Sequence, residues 1–271
     1  MSAPRSSPFP RLTAALDAAD HPMDFWWRDD DAVADTPALR RLLDLAAHAA
    51  APLTLAVIPA GAEDGLAAAL AACPAGGPRG VIVAQHGDAH AALGANGRQR
   101  ELSDDTDPAW LDARLVAGAQ RLDTVFGNRV QPVMVPPWNR ADPGVLARLP
   151  ALGFHAVSGL TTDRPTGPLP AINVDIDVMD WALHTSRGPD AIDAQAAAAV
   201  ATRLADPGAG PIGVMTHHLV HDDAVWADLT ALIDTLNAHP AARWIGLDAA
   251  LASVGLAPAD DPDRLTQAVP A

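Results

Sequence analysis

Two imidazoles stand four residues apart in Gln85-His86-Gly87-Asp88-Ala89-His90, directly after the apolar run Val81-Ile82-Val83-Ala84. At that spacing the rings share one helical face or straddle one tight turn, and either arrangement can hold one ion. Gly87 lets the backbone approach closely between them. Three other polar clusters follow apolar runs in the same way: Asp29-Asp30-Asp31, Pro136-Pro137-Trp138-Asn139 and His217-His218. Three adjacent carboxylates repel one another unless a cation, an arginine or water compensates them. Arg28 is placed to neutralise one of the three. Another could complete a His-His-Asp set with coordination positions left open. A neighbouring carboxylate could then take a proton from water. These residue types point to hydrolysis at a divalent-metal centre.

The clusters need a scaffold that brings strand ends together. Strands are predicted at 23–28, 53–58, 81–84, 130–135, 154–157, within 169–178, at 212–216 and at 244–247. Helices are predicted at 11–19, 37–50, 61–72, 108–126, 142–152, 190–204, 222–238 and 248–254. Proline and capping residues punctuate them, as in Asp35-Thr36-Pro37, Asp107-Pro108 and Gly127-Asn128. Short strands alternating with helices, in seven or eight such units, give an α/β class, and polar residues at strand C-terminal ends favour a barrel. No GxGxxG follows the first strand, so a dinucleotide fold has no support. Residues 1–22 read as an arm with a short helix, 23–255 as the barrel and 256–271 as a flexible tail. Residues 91–107 are polar and aperiodic and read as a long loop near the site.

With 271 residues, the chain is long enough for one such barrel. Its 33 acidic and 18 basic residues give a net charge of −15. That disfavours nucleic acid and anionic membrane surfaces as partners, because both are bound through basic side chains. It leaves an anionic small substrate open, since local fields can differ from the total. Cys73 is the single cysteine, so there is no intrachain disulfide or thiolate metal cluster, and it reads as a structural thiol. The first residues lack an apolar signal region, and no uninterrupted apolar stretch approaches a membrane span. A cytoplasmic protein is the expectation; the oligomeric state is left open.

The order of these clusters resembles that of the polysaccharide deacetylase superfamily, the NodB-like carbohydrate esterases. Asp30-Asp31-Ala32 matches the family's first motif, with Asp29 able to shift the register by one. His86 and His90 match its His-x-x-x-His motif. Val135-Pro136-Pro137-Trp138-Asn139 matches an Arg-Pro-Pro-aromatic-Gly motif, with Val135 in place of the arginine and Asn139 in place of the glycine. Asp177-Val178-Met179-Asp180-Trp181 and the strand ending Thr216-His217-His218 match the last two. The resemblance covers about residues 24–221.

It implies an α/β fold built as a distorted (β/α)7-like barrel and a metal-dependent deacetylase acting on N-acetylated sugars, with zinc the first expectation and cobalt, iron or manganese as alternatives. Asp31, His86 and His90 are then the metal ligands and Asp30 the base. His217 is the general acid, ahead of His218, which strand alternation turns away. Asp177, or Asp175 in its place, holds the acid through its second nitrogen. Trp138 walls the pocket, and Pro137, Asn139 and Trp181 complete the substrate surface. With Val135 replacing arginine, Arg28 or Arg140 is left to orient the base. The same centre could cleave a non-sugar amide or an ester, and a degenerate barrel could bind a carbohydrate without turning it over.

Overall fold

Strand β1 (Met23–Ala32) carries the sheet. It pairs in parallel with β9 (Ile212–Thr216) along one edge. Along the other it meets β10 (Ala242–Trp244) at its start and β2 (Leu53–Val57) further on. The computed structural model describes residues 7–77, 80–95 and 99–256; the expected tail therefore lies almost wholly outside the described residues. Beyond β2 come β3 (Val81–His86), β4 (Val130–Val135) and β5 (Ala156–Val157), and β6 (Ile176–Asp177) lies beyond β9. The order is β5-β4-β3-β2-β1-β9-β6.

The ladder returns on itself. Ile172 donates to the Val157 carbonyl and Val174 to the Gly159 carbonyl, while β6 pairs with Val214 and Met215 of β9. The result is a distorted (β/α)7-like barrel. The predicted strand at 169–178 is mostly these isolated bridges, because Pro168 and Pro170 cannot donate to a ladder.

Helices α2 (Pro37–Ala49), α3 (Asp64–Ala71), α4 (Pro108–Phe126), α5 (Pro143–Arg148), α6 (Pro189–Ala205) and α7 (Asp223–Ala238) connect the strands. Parallel strands need such crossovers and are buried on both faces, hence their nearly continuous apolar runs. Outward side chains of β1, Phe25 and Trp27, join the helical layer with Leu55, Val83 and Val214. Inward Trp26 fills the lumen with Ala84, Val135 and Met215. Helix α8 (Leu247–Ser253) follows β10 at the N-terminal mouth and plugs it with Leu247, Ala250 and Leu251. That role moves the last strand earlier than the predicted 244–247. A small antiparallel hairpin, β7 (Met179–Asp180) and β8 (Thr185–Ser186), stands on the opposite mouth after β6.

Helix α1 (Pro10–Asp17) belongs to the main core. Phe9, Leu12 and Leu16 are buried in it. The carboxylate of Asp193, buried on α6, accepts from the Arg11 and Leu12 amides at 3.0 and 2.8 Å, satisfying donors that a helix start leaves free. Cys73 is half-buried and burial raises its thiol pKa, in keeping with a structural role. Among the described residues no helix is long and apolar enough to cross a membrane. Leu12→Ala should cost about 2–5 kcal/mol of unfolding free energy in urea; an unchanged midpoint would show that α1 is only loosely attached.

Candidate metal centre and its surroundings

The three aspartates of β1 go to three different places. A regular strand alternates its faces, so Asp29 points outward with Trp27 and Asp30 inward with Arg28. Asp31 would then point outward again. Instead the register with β2 slips between Asp29 and Ala32, and Asp31 takes a left-handed φ of 69°. Such an irregularity re-aims a side chain, and aspartate tolerates this backbone better than most residues. Asp31 thus reaches the mouth of the barrel beside Asp30. The predicted end of the strand at 28 is corrected: the ladder runs through the aspartates.

Strand β3 likewise runs two residues beyond the predicted 81–84 and delivers His86 directly. The two histidines sit on a strand end and the loop after it, not on a helix. Gly87 turns the chain at φ 58°; a Cβ there would collide with the Glu101 carboxylate and the Pro137 ring. His90 itself has φ 54°. Its loop is fixed by Glu101, a buried residue that sequence reasoning missed, which accepts from the amides of Asp88, Ala89 and Ala91 at 2.9, 2.8 and 3.3 Å. The described part of segment 91–107 therefore supplies a buttress: Leu102 and Ser103 are buried beside Glu101.

Asp31, His86 and His90 offer ligand atoms that all lie within 4.8 Å of one another. Nε2 of His86 and of His90 approach Asp31 Oδ1 at 3.1 and 3.3 Å. The Nδ1 of His86 lies 2.9 Å from the Val135 carbonyl, which can only accept, so that nitrogen carries the proton. A neutral His86 then aims a lone pair at a carboxylate oxygen. The arrangement calls for a second proton on the ring or a cation between the groups. A carbonyl behind the distal nitrogen is also the usual outer support of a ligating histidine. Two imidazoles and a carboxylate suit zinc and its neighbours in softness. Burial works against charge on Asp31, but His86, His217 and His90 outweigh it and hold its carboxyl well below the usual carboxylate range. Burial also opposes charge on His86, yet Asp31 and Asp30 raise its pKa, whereas burial and the neighbouring His86 lower that of His90.

Asp30 is gripped by Arg28. The guanidinium donates through Nε to Oδ1 at 2.8 Å and through Nη2 to Oδ2 at 2.9 Å. It also meets the Ser158 hydroxyl at 2.7 Å, the Ser158 carbonyl at 3.0 Å and Asn139 Oδ1 at 2.6 Å. Arg28, two residues before Asp30 on the same face of β1, thus holds the carboxylate, while Val135 at the end of β4 is buried in the apolar lumen. Asn139 receives the guanidinium. Trp138 and Asn139 both adopt left-handed φ, 54° and 56°, in the turn after β4. This sets the Trp138 ring 4.2 Å from His90 and Pro137 against Gly87. Arg140 is exposed and does not reach Asp30.

His217 closes the other side, its Nε2 3.8 Å from Asp30 Oδ2 and its ring edge-on to Trp181 with centroids 4.5 Å apart. The expected bond from Asp177 to His217 is not formed, and buried His217 Nδ1 has no hydrogen-bond partner among the described residues. Asp177 instead accepts from the Met179 amide and the Trp181 indole, both at 2.9 Å. Its carboxylate is taken up in building the hairpin, and Trp181 touches both it and the His217 ring. Burial raises its pKa. The alternative Asp175 is held by both terminal nitrogens of Arg203 at 2.7 and 2.8 Å and is no closer to the task.

On the outer face, His218 Nδ1 lies 2.5 Å from Asp29 Oδ1, and Asp29 Oδ2 accepts from the Thr216 hydroxyl and the His218 amide. Burial opposes both charges, but each partner favours the other, so Asp29 is shifted down and His218 up. This buried pair ties the end of β1 to the end of β9 directly behind Asp30 and His217. His221 lies below it, edge-on to Trp226, and burial pushes its pKa down to about 4 despite Asp29. The unfolded chain binds a proton near pH 6.5, so it holds more protons than the folded one between there and pH 4. Stability is therefore lost as pH falls through that window. Between pH 7 and pH 4.5, wild type should lose about 2 kcal/mol more unfolding free energy than His221→Gln. Equal losses in the two proteins would refute the assignment.

No protein-family model matches the sequence, and no curated protein matches it. Solved structures do match. T48 deacetylase with substrate is 17% identical with a TM-score of 0.54, over 88% of this chain and 94% of that one. The family 4 carbohydrate esterase from Streptomyces lividans in complex with acetate is 16% identical, TM-score 0.53, over 89% and 100%. The family 4 acetyl xylan esterase from Clostridium thermocellum in complex with a cobalt ion is 14% identical, TM-score 0.55, over 91% and 96%. The chain has the NodB-like polysaccharide deacetylase fold that these proteins share.

Proposed function

We propose that the protein is a metal-dependent hydrolase that removes an N-acetyl group from a sugar or a related acylamide. The observation that supports this most is the Asp31-His86-His90 cluster, whose lone pairs converge beside a buried, arginine-held carboxylate facing a histidine. Asp31, His86 and His90 would hold a divalent cation, which would supply Lewis acidity toward the acyl oxygen and make water easier to deprotonate. Zinc is the first expectation, with cobalt, iron and manganese compatible with the same donors.

The remaining roles belong to the chain. Asp30 accepts the proton of the attacking water, and the Arg28 fork fixes which oxygen faces it. His217, on the opposite side of Asp30, protonates the departing nitrogen. Asp177 acts indirectly, by setting Trp181 against the His217 ring. Pro136 and Pro137 have no N–H, so the Trp138 amide is the first backbone donor after β4 that can face a developing oxyanion. Trp138 on the His90 side and Trp181 on the His217 side flank the acyl group and can pack on a sugar face. An ester at the same centre would need no protonated nitrogen to leave, and matched esters and amides separate the two.

Protein purified without added metal or a histidine tag should carry about one divalent ion per chain by elemental analysis, in line with a three-ligand catalytic site. His90→Ala should lose ion and hydrolysis together. Asp30→Asn should keep the ion and lose at least ~100-fold in kcat. A fully active His90→Ala protein would refute the scheme. Arg28→Lys keeps the charge but not the fork and should lower kcat by roughly tenfold or more with the ion retained; wild-type kcat would show that the fork does not orient the base.

A further inference from the structure

A cavity of about 180 Å³ opens beside the candidate centre, with Arg100, Asn139, Arg140, Asp163 and Arg164 in its wall. Its two loops, 139–141 and 163–166, leave the C-terminal ends of β4 and β5, the face that carries the site. Asn139 belongs to both places, since its Oδ1 holds Arg28, which grips Asp30. Its neighbour Trp138 stacks on His90. Asn139 is thus the residue through which the cavity wall joins the site.

The charge there is unlike the rest of the protein. The sequence has no lysine, so all 18 basic residues are arginines against 33 acidic ones. Ten of the described arginines lie within 4.0 Å of a carboxylate. Arg121 and Arg129 grip backbone carbonyls. The two that remain are Arg140 and Arg164. Arg140 only reaches the Gln99 carbonyl, at 3.5 Å, and Arg164 has no partner among the described residues. Both line this one cavity. Arg100 beside them is tied to Asp142, and Asp163 is the one carboxylate in the wall, so the guanidinium groups are in excess. In a chain of net charge −15, two guanidinium groups with no carboxylate partner among the described residues line one cavity, and each presents a planar fork that fits carboxylate or phosphate oxygens.

We infer that the substrate is an anionic acylamide whose carboxylate or phosphate is received by Arg140 and Arg164. This rests on the hydrolase reading above and names the substrate class of that site. The test uses metal-loaded full-length protein and three probes: neutral N-acetylglucosamine, its 6-phosphate, and N-acetylmuramic acid, which carries a carboxylate. Binding is measured by calorimetry and turnover by amine release. At least one charged probe should bind about tenfold or more tighter than the neutral one, and the better of the two identifies the oxoacid. In the Arg140→Ala/Arg164→Ala double variant that ratio should fall to near one, with thermal unfolding unchanged because both side chains are exposed. Equal binding of all three probes, no binding of any, or a preference that survives the double substitution would overturn the inference. A charge preference without turnover of any probe would instead uphold the cavity and count against the hydrolase. Turnover without charge preference would do the reverse.

Discussion

A guanidinium sealed inside the barrel is the constraint on which the site depends. Arg28 has no exposed surface. A buried charge costs several kcal/mol unless its partners and hydrogen bonds are all in place. Here they come from all round the barrel mouth: Asp30 on β1, Asn139 after β4, Ser158 after β5 and Met215 on β9. Each strand end is therefore held by the same cation that orients the candidate base. Losing one partner would strand a charge that water cannot reach, so these positions are bound to one another more tightly than their separation in sequence suggests.

The second constraint is the way one strand divides three identical side chains. Asp29 is spent on His218 behind the sheet, Asp30 on Arg28 in the lumen, and Asp31 on the two imidazoles at the mouth. The outer pair and the inner pair brace β1 from opposite faces. The left-handed turn at Asp31 lies between them, where a strained backbone needs over-determined surroundings. His90, Trp138 and Asn139 share this unusual conformation, so four of the six non-glycine residues with left-handed φ in the described chain lie at the site, the other two being Ala50 and His184.

Much of this was legible in the sequence. The bounds of β4, β9 and α4 follow from proline, glycine and cap residues, and the structure places them at 130–135, 212–216 and 108–126. The ordered clusters pointed to the same barrel mouth because strand ends are where such folds gather polar groups. The irregularity that turns Asp31 inward was hidden, since nothing in three equal residues says where a register slips. Glu101 was hidden too: its partners are backbone amides, which carry no sequence signal, although it is one of only two glutamates in the chain. The spacing of Arg28 and Asp30 did hold a usable signal, because residues two apart on a strand share a face. Asp177 misled for the opposite reason: a local turn claimed its oxygens before a distant ring could.

The plug at the N-terminal mouth has a consequence for traffic. Trp26 and the apolar face of α8 fill the lower lumen, and Arg28 caps that filling from above. The barrel is thus a blind well. Whatever enters must leave by the same rim, and a long chain can lie across the opening but cannot thread through it. Only a side group of the right reach gets to the bottom of the well, so depth itself acts as a filter on which end of a molecule is presented.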